Sequence, residues 1–137
     1  LEQGTPANIV NVASAASLRG LKGGAMYVTT KHAVLGLTRN ISASFFERGI
    51  RCNCIEPANI LTEINKVPRE KGIGTIEWKM RAGKAAPLHT TTKPGEQTPI
   101  LGKPKDCANA IADAADDVAA RYISGAELKV DAGWLNM

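Results

Sequence analysis

The chain has 137 residues, the size of one domain, and its apolar fraction of 44% is enough to build a core. Aromatic residues are only 4%, so that core must be aliphatic and rich in alanine. A net charge of +4 is too mild to point to nucleic acid, and no run of 18 apolar residues supplies a membrane-spanning helix.

Residues 8–14, Asn-Ile-Val-Asn-Val-Ala-Ser, read as a short β-strand: β-branched, nearly continuous in apolar character, and preceded by Thr5-Pro6. A strand apolar on both faces belongs in a parallel sheet covered by helices. Residues 15–24 carry three glycines and read as loop. Residues 25–48 are the longest helical candidate, with Val34, Leu37, Ile41 and Phe45 at helical spacing and Gly49 as the stop. Residues 50–55 are a second strand, ended by Pro57.

Residues 62–104 differ. They are rich in Gly, Pro and Thr, with one short helix expected from Thr75 through Trp78 and Met80. The basic excess sits here: from residue 63 to 105 there are nine Lys/Arg against four Glu. A solvated loop, or attraction for a phosphate-bearing ligand, explains that excess. Pro104 suits the first position of a second helix over 105–120, and Ser124-Gly125 turns the chain into a third strand over 127–131. The order β-α-β-loop-α-β points to an α/β, doubly wound layer.

Ser14, Tyr27 and Lys31 are the candidate catalytic group. Four residues apart on a helix, Tyr27 and Lys31 share one face. A phenol near pKa 10 is a poor proton carrier at neutral pH, and a neighbouring ammonium lowers that value. Ser14 stands at the carboxyl end of its strand, where parallel sheets place ligand crevices, and its hydroxyl can hold a substrate oxygen. A Tyr and a Lys at this spacing also occur simply as packing or solvated residues. Cys52 and Cys54 share a strand face without zinc spacing, so no metal is expected. His32 and His89 read as surface or packing residues. Three cysteines, an odd number, suit a reducing compartment, and no signal peptide is expected.

These residues resemble the short-chain dehydrogenase/reductase family. The similarity rests on an ordered set. Ile9-Val10-Asn11-Val12-Ala13-Ser14 is followed, thirteen residues after Ser14, by Tyr27-Val28-Thr29-Thr30-Lys31, the family's Y-x-x-x-K. Lys31-His32-Ala33-Val34 then Gly36-Leu37-Thr38 continue that helix, and residues 50–62 resemble the next strand and its P-G-x-I/V-x-T turn. Residues 101–106 resemble the entry to the last helix, and 122–133 the closing strand.

The resemblance implies a Rossmann-like, doubly wound parallel sheet, incomplete and equivalent to the carboxy-terminal half of the family fold. It implies an NAD(P)-dependent oxidoreductase moving hydride between nicotinamide and a carbonyl or secondary alcohol. Tyr27 would be the acid/base, and Lys31 would hold the nicotinamide ribose and tune Tyr27. Ser14 would orient the substrate oxygen. Pro57, Ala58, Ile60 and Thr62 would lie against NAD or NADP. Residues from about 63 to 100 would form the substrate-binding loop, with Trp78, Met80 and Leu88 as its apolar wall. The partners implied are a small carbonyl or alcohol substrate and further copies of the chain, joined through the Tyr27 helix, in the cytoplasm. Neither nucleic acid nor membrane is implied. The alternative is a non-catalytic fragment that only associates with related subunits.

Departures from the family pattern are specific. The glycine-rich phosphate loop has no counterpart in these residues, and Leu1-Glu2-Gln3-Gly4 reads as the end of a preceding helix in a chain entered midway. Ala58 replaces the turn's usual glycine, and Glu56 is an unusual charge before Pro57. Asp113, Asp116 and Asp117 stand where the last helix should run apolar.

Overall fold

The computed structural model describes residues 6–20, 23–65, 90–93, 96–99, 101–133 and 135. Three strands form a parallel sheet: β1 (Ala7–Val12), β2 (Ile50–Pro57) and β5 (Glu127–Val130), in the order β1-β2-β5. Val12 faces Ile55 across one ladder, and Glu56 faces Lys129 across the other. A separate antiparallel pair, β3 (Thr90–Lys93) and β4 (Glu96–Pro99), lies within the segment expected to be irregular. The helix expected around Thr75, with Trp78, Met80, Leu88 and His89, falls outside the described residues.

Side chains alternate across β2, and that alternation positions the two helices. Cys52 and Cys54 face α1 (Gly24–Phe45), where Leu35, Ala13 and Cys54 make a small buried cluster with Val34 against it. Asn11 Nδ2 donates to Thr38 Oγ1 at 2.9 Å on the same side. Arg51 and Asn53 point the other way, toward the segment that follows α2 (Pro104–Ala115). The sheet is thus covered on both faces, as its apolar strands require. Burial on α1 falls on Leu35 and Thr38, while Leu37, part of the expected apolar stripe, is 53% exposed. Val34, Ile41 and Phe45 of that stripe are half-buried.

Helix ends follow local chemistry. Gly49, at φ +73°, closes the turn after α1. Pro104 opens α2, and Asp106 Oδ2 accepts from Lys103 N at 2.7 Å. The second helix stops at Ala115 instead of Ala120. Asp116 is extended, with ψ 124°, and its Oδ1 accepts from Val118 N and Ala119 N, which starts a new turn. Those two N–H groups hold its carboxyl below the usual range. Asp113, Asp116 and Asp117 all stay exposed, so none burdens the sheet contact.

No helix among the described residues is long and apolar enough to cross a membrane. Strand β1 pairs along one edge only among the described residues, and Ile9 and Val12 are exposed beside it. An open edge next to apolar side chains recruits other chains. Expressed as these 137 residues alone, the protein is expected to self-associate, and sedimentation giving a monodisperse monomer would contradict this.

Candidate active site

The carboxyl end of β1 sets the site. The ladder continues one residue past Val12, through Ala13 N to Ile55 O at 2.9 Å. Ser14 then caps a single 3-10 turn, Ala15–Ser17, its Oγ accepting from Ala16 N at 3.1 Å. Ser17 answers it. Its Oγ accepts from Ser14 N at 3.3 Å and donates to Lys31 O at 3.0 Å. This buried serine therefore ties the Ser14 loop to α1. The spacing Ser14-x-x-Ser17 was a capping signal available in the sequence, and its reach to Lys31 was not.

Tyr27 and Lys31 lie one turn apart near the start of α1, both half-buried. Lys31 Nζ donates to Val12 O at 2.9 Å, the last carbonyl of β1. The same ammonium sits 5.8 Å from the centre of the Tyr27 ring, within cation–π range. The structure thus brings Ser14, Tyr27 and Lys31 to one end of β1 through two hydrogen bonds to Lys31, one at its ammonium and one at its carbonyl. His32 is exposed, and its Nδ1 donates to Val28 O at 2.9 Å.

The turn after β2 is held by backbone. Ala58 N donates to Val130 O at 3.1 Å, Leu61 N to Gly102 O at 2.8 Å, and Gly102 N to Asn59 O at 3.0 Å. Ile60 packs so closely on Gly102 that a Cβ there would meet its Cδ1 at 2.5 Å. Pro57, Ala58 and Ile60 are half-buried, and Thr62 is exposed. Gly102 therefore fixes a turn forty residues before it, a link that no local pattern reveals.

Glu56, immediately before this turn, is fully buried, and neither carboxylate oxygen has a hydrogen-bond partner among the described residues. Burial, then the charge of Glu127, pushes its carboxyl above the ordinary value of 4.5, against Lys129 and Arg39. A raised folded-state pKa means the native state binds more protons than the unfolded chain. This group's stabilising effect is therefore full below 4.5 and is lost as pH rises through the folded value. Glu56→Gln removes the buried charge and leaves a neutral amide in its place, so it is expected to stabilise the protein at neutral pH. The gain should shrink as pH falls toward the ordinary carboxyl range. Urea titrations at several pH values check this, and a gain independent of pH would show that the charge is not the cause. Cys52 and Cys54, on the same face, are also buried, and burial raises both thiols, which keeps them protonated.

Residues 1–135 match the family model described as enoyl-(acyl carrier protein) reductase. The 3beta-hydroxysteroid dehydrogenase 2 of Eggerthella lenta is 34% identical over 137 residues, covering 98% of this chain and 46% of that protein. The L-rhamnose 1-dehydrogenase (NAD(P)(+)) of Azotobacter vinelandii is 36% identical over 135 residues, covering 96% and 46%. Among solved structures, 4-hydroxyisoleucine dehydrogenase complexed with NADH superposes with a TM-score of 0.73 at 27% identity, covering 99% of this chain and 49% of that one. The chain spans about half the length of the curated relatives it matches.

Proposed function

The chain belongs to the short-chain dehydrogenase/reductase family, and from that premise we propose that it carries the acid/base and nicotinamide-ribose end of an NAD(P)-dependent oxidoreductase acting on a carbonyl or secondary alcohol. The observation that carries this reading is Lys31, anchored on Val12 O and set 5.8 Å from the Tyr27 ring at the carboxyl end of a parallel strand.

The donor set suits NAD or NADP at its nicotinamide end. One N–H of the Lys31 ammonium is used by Val12 O, and two remain for the ribose hydroxyls. Ile60 and Thr62 line the turn that Gly102 holds in place. Pro57 sets the bend, and Ala58 offers its carbonyl, since its N–H is committed to Val130. The dinucleotide, when bound, accepts or supplies the hydride.

In this reading Tyr27 gives or takes the proton at the substrate oxygen. Ser14 donates its hydroxyl to that oxygen, its lone pair already engaged by Ala16 N. Lys31 holds the ribose and keeps positive charge beside the phenol. The segment from about 63 to 100 is the substrate-binding loop, a role that suits its variable, turn-rich sequence. Exposed Met26 and Leu37 on α1 support assembly of copies through that helix.

Lys31→Met in the full chain tests the ribose contact. Losing charge-assisted hydrogen bonds is expected to weaken NAD(H) or NADP(H) binding by about 10–100-fold, at roughly 1.5–3 kcal/mol. Calorimetric titration of parent and variant checks this, and equal affinities would remove Lys31 from the cofactor site.

A further inference from the structure

In the first turn of α1 the Tyr27 ring stands against glycine backbone. A helical side chain leans toward the N-terminus and lies over the residues three and four positions earlier. For Tyr27 those residues are Gly24 and Gly23. Both are in left-handed backbone, Gly24 at φ +80° and Gly23 at φ +84°. Their surroundings differ completely. A Cβ on Gly24 would meet nothing within 4 Å. A Cβ on Gly23 would collide with Cδ1 of Tyr27, approach its Cγ to 2.9 Å and its Cβ to 3.1 Å.

These are the root atoms of the ring, not a flexible tip. Rotation about χ1 can move Cγ and Cδ1 away, but it leaves the tyrosine Cβ where the helix holds it. The ring therefore occupies its present well because residue 23 has no side chain. On its other flank stands the Lys31 ammonium, itself fixed to Val12 O. Bare backbone one turn before and an anchored cation one turn after define where the ring lies.

We propose that Gly23 is a positioning residue for Tyr27: its missing side chain selects the ring orientation that presents the phenol to the site. The inference rests on the acid/base reading of Tyr27 for its functional consequence, while the ring contact itself does not. Gly24 supplies the control, because it has the same unusual backbone and no contact to disturb.

The experiment uses ring-labelled tyrosine in the full chain. There are two tyrosines in these residues, and Tyr122, 89% exposed, serves as the reference signal. In the parent protein, nuclear Overhauser contacts are expected between the Gly23 α protons and the Tyr27 ring. Their absence in a folded parent overturns the proposal without any variant. Gly23→Ala should shift the Tyr27 ring signals and leave Tyr122 unmoved, and Gly24→Ala, which carries the same left-handed strain without the contact, should shift the Tyr27 ring far less. Gly23→Asn, whose side chain tolerates left-handed backbone, repeats the test should alanine fail to fold. Ring signals that coincide with the parent's in Gly23→Asn, or that move equally in Gly24→Ala, overturn it.

Turnover gives the second arm, read as carbonyl reduction with cyclohexanone as the probe. Misplacement of a reacting group by about 1 Å costs on the order of 10²-fold, so Gly23→Ala should lower kcat by about 10–100-fold with KM little changed. In a Tyr27→Phe background the same glycine change should cost no further turnover, the non-additivity of residues that act as one unit. If Tyr27→Phe leaves kcat intact, the acid/base reading fails and the ring contact still stands or falls on the spectra. If Tyr27→Phe is slow but the Gly23 variants are not, only this proposal fails.

Discussion

Tyr27→Phe is expected to lower kcat by about 10²–10⁴ in the full chain, the usual weight of a positioned general acid/base. Phenylalanine keeps the ring over Gly23 and beside Lys31 and removes only the transferable proton. Stability should change little, because no hydrogen bond of the hydroxyl holds the fold among the described residues. Urea denaturation should place the variant within about 0.5 kcal/mol of the parent. Steady-state kinetics decides the matter. A loss of only a few-fold would mean that the ring packs and carries no proton, and the assignment would have to be given up. Ser14→Ala separates the roles further, since it removes the hydroxyl offered to the substrate oxygen and leaves the phenol in place.

The largest effect on stability is expected at Arg51. This side chain is buried on the sheet face opposite α1 and binds the far end of α2. Nη1 reaches Ala114 O and Ile123 O at 3.3 Å, and Nη2 reaches Asp116 O at 3.1 Å and Asp117 Oδ1 at 3.0 Å. Asn8 Nδ2 adds a bond to Ala115 O at 2.7 Å. A helix leaves its last carbonyls without internal partners, and here the sheet supplies the donors. Arg51→Leu would remove these four contacts at about 0.5–1.5 kcal/mol each, while Asn8 Nδ2, Asn53 Nδ2 and Ala120 N still serve the carbonyls of Ala114, Ile123 and Asp116. A total of about 2–4 kcal/mol is a large share of the roughly 5–15 kcal/mol that holds a domain. Asp117→Asn should cost under about 1 kcal/mol, because that carboxylate is 76% exposed and its ion pair is screened. Equal losses for the two variants would show that the ion pair, not the carbonyl contacts, holds the helix end.

Arg51 also explains the three aspartates that sat badly in the expected helix. They are tolerable because α2 ends before two of them. Asp116 turns the chain, and Asp117 meets the guanidinium. Sequence periodicity carried the helix to Ala120 because Val118 continued the apolar spacing. In the structure Val118 is 82% exposed, and the backbone N–H groups of Val118 and Ala119 have gone to the Asp116 carboxylate. A side chain that competes for backbone donors ends a helix, and its success depends on what grips the carbonyls beneath it.

The hairpin β3-β4 was missed for a different reason. Its threonine-rich strands flank Pro94-Gly95 in the sequence, a two-residue turn signal that competes with the irregular reading of a Gly/Pro/Thr-rich stretch. Burial of Glu56 was half visible. Its charge was odd before Pro57, but only the close approach of α1 and β5 leaves both oxygens without partners.

Local chemistry determined a good deal by itself. The run around Ile9–Val12 had to be a strand, Gly49 had to end the first helix, and Pro104 had to begin the second, because each follows from backbone preference over a few residues. The i, i+4 spacing put Tyr27 and Lys31 on one helical face before any fold was known. Tertiary structure decided the rest. The order β1-β2-β5 placed Val12 O under Lys31, and Ser17 joined the Ser14 loop to α1 across fourteen residues. Gly102 locked the turn at Ile60, and Arg51 chose where α2 ends. All four are contacts between segments distant in sequence, and their partners are chosen by the packing of the sheet, which no local preference encodes.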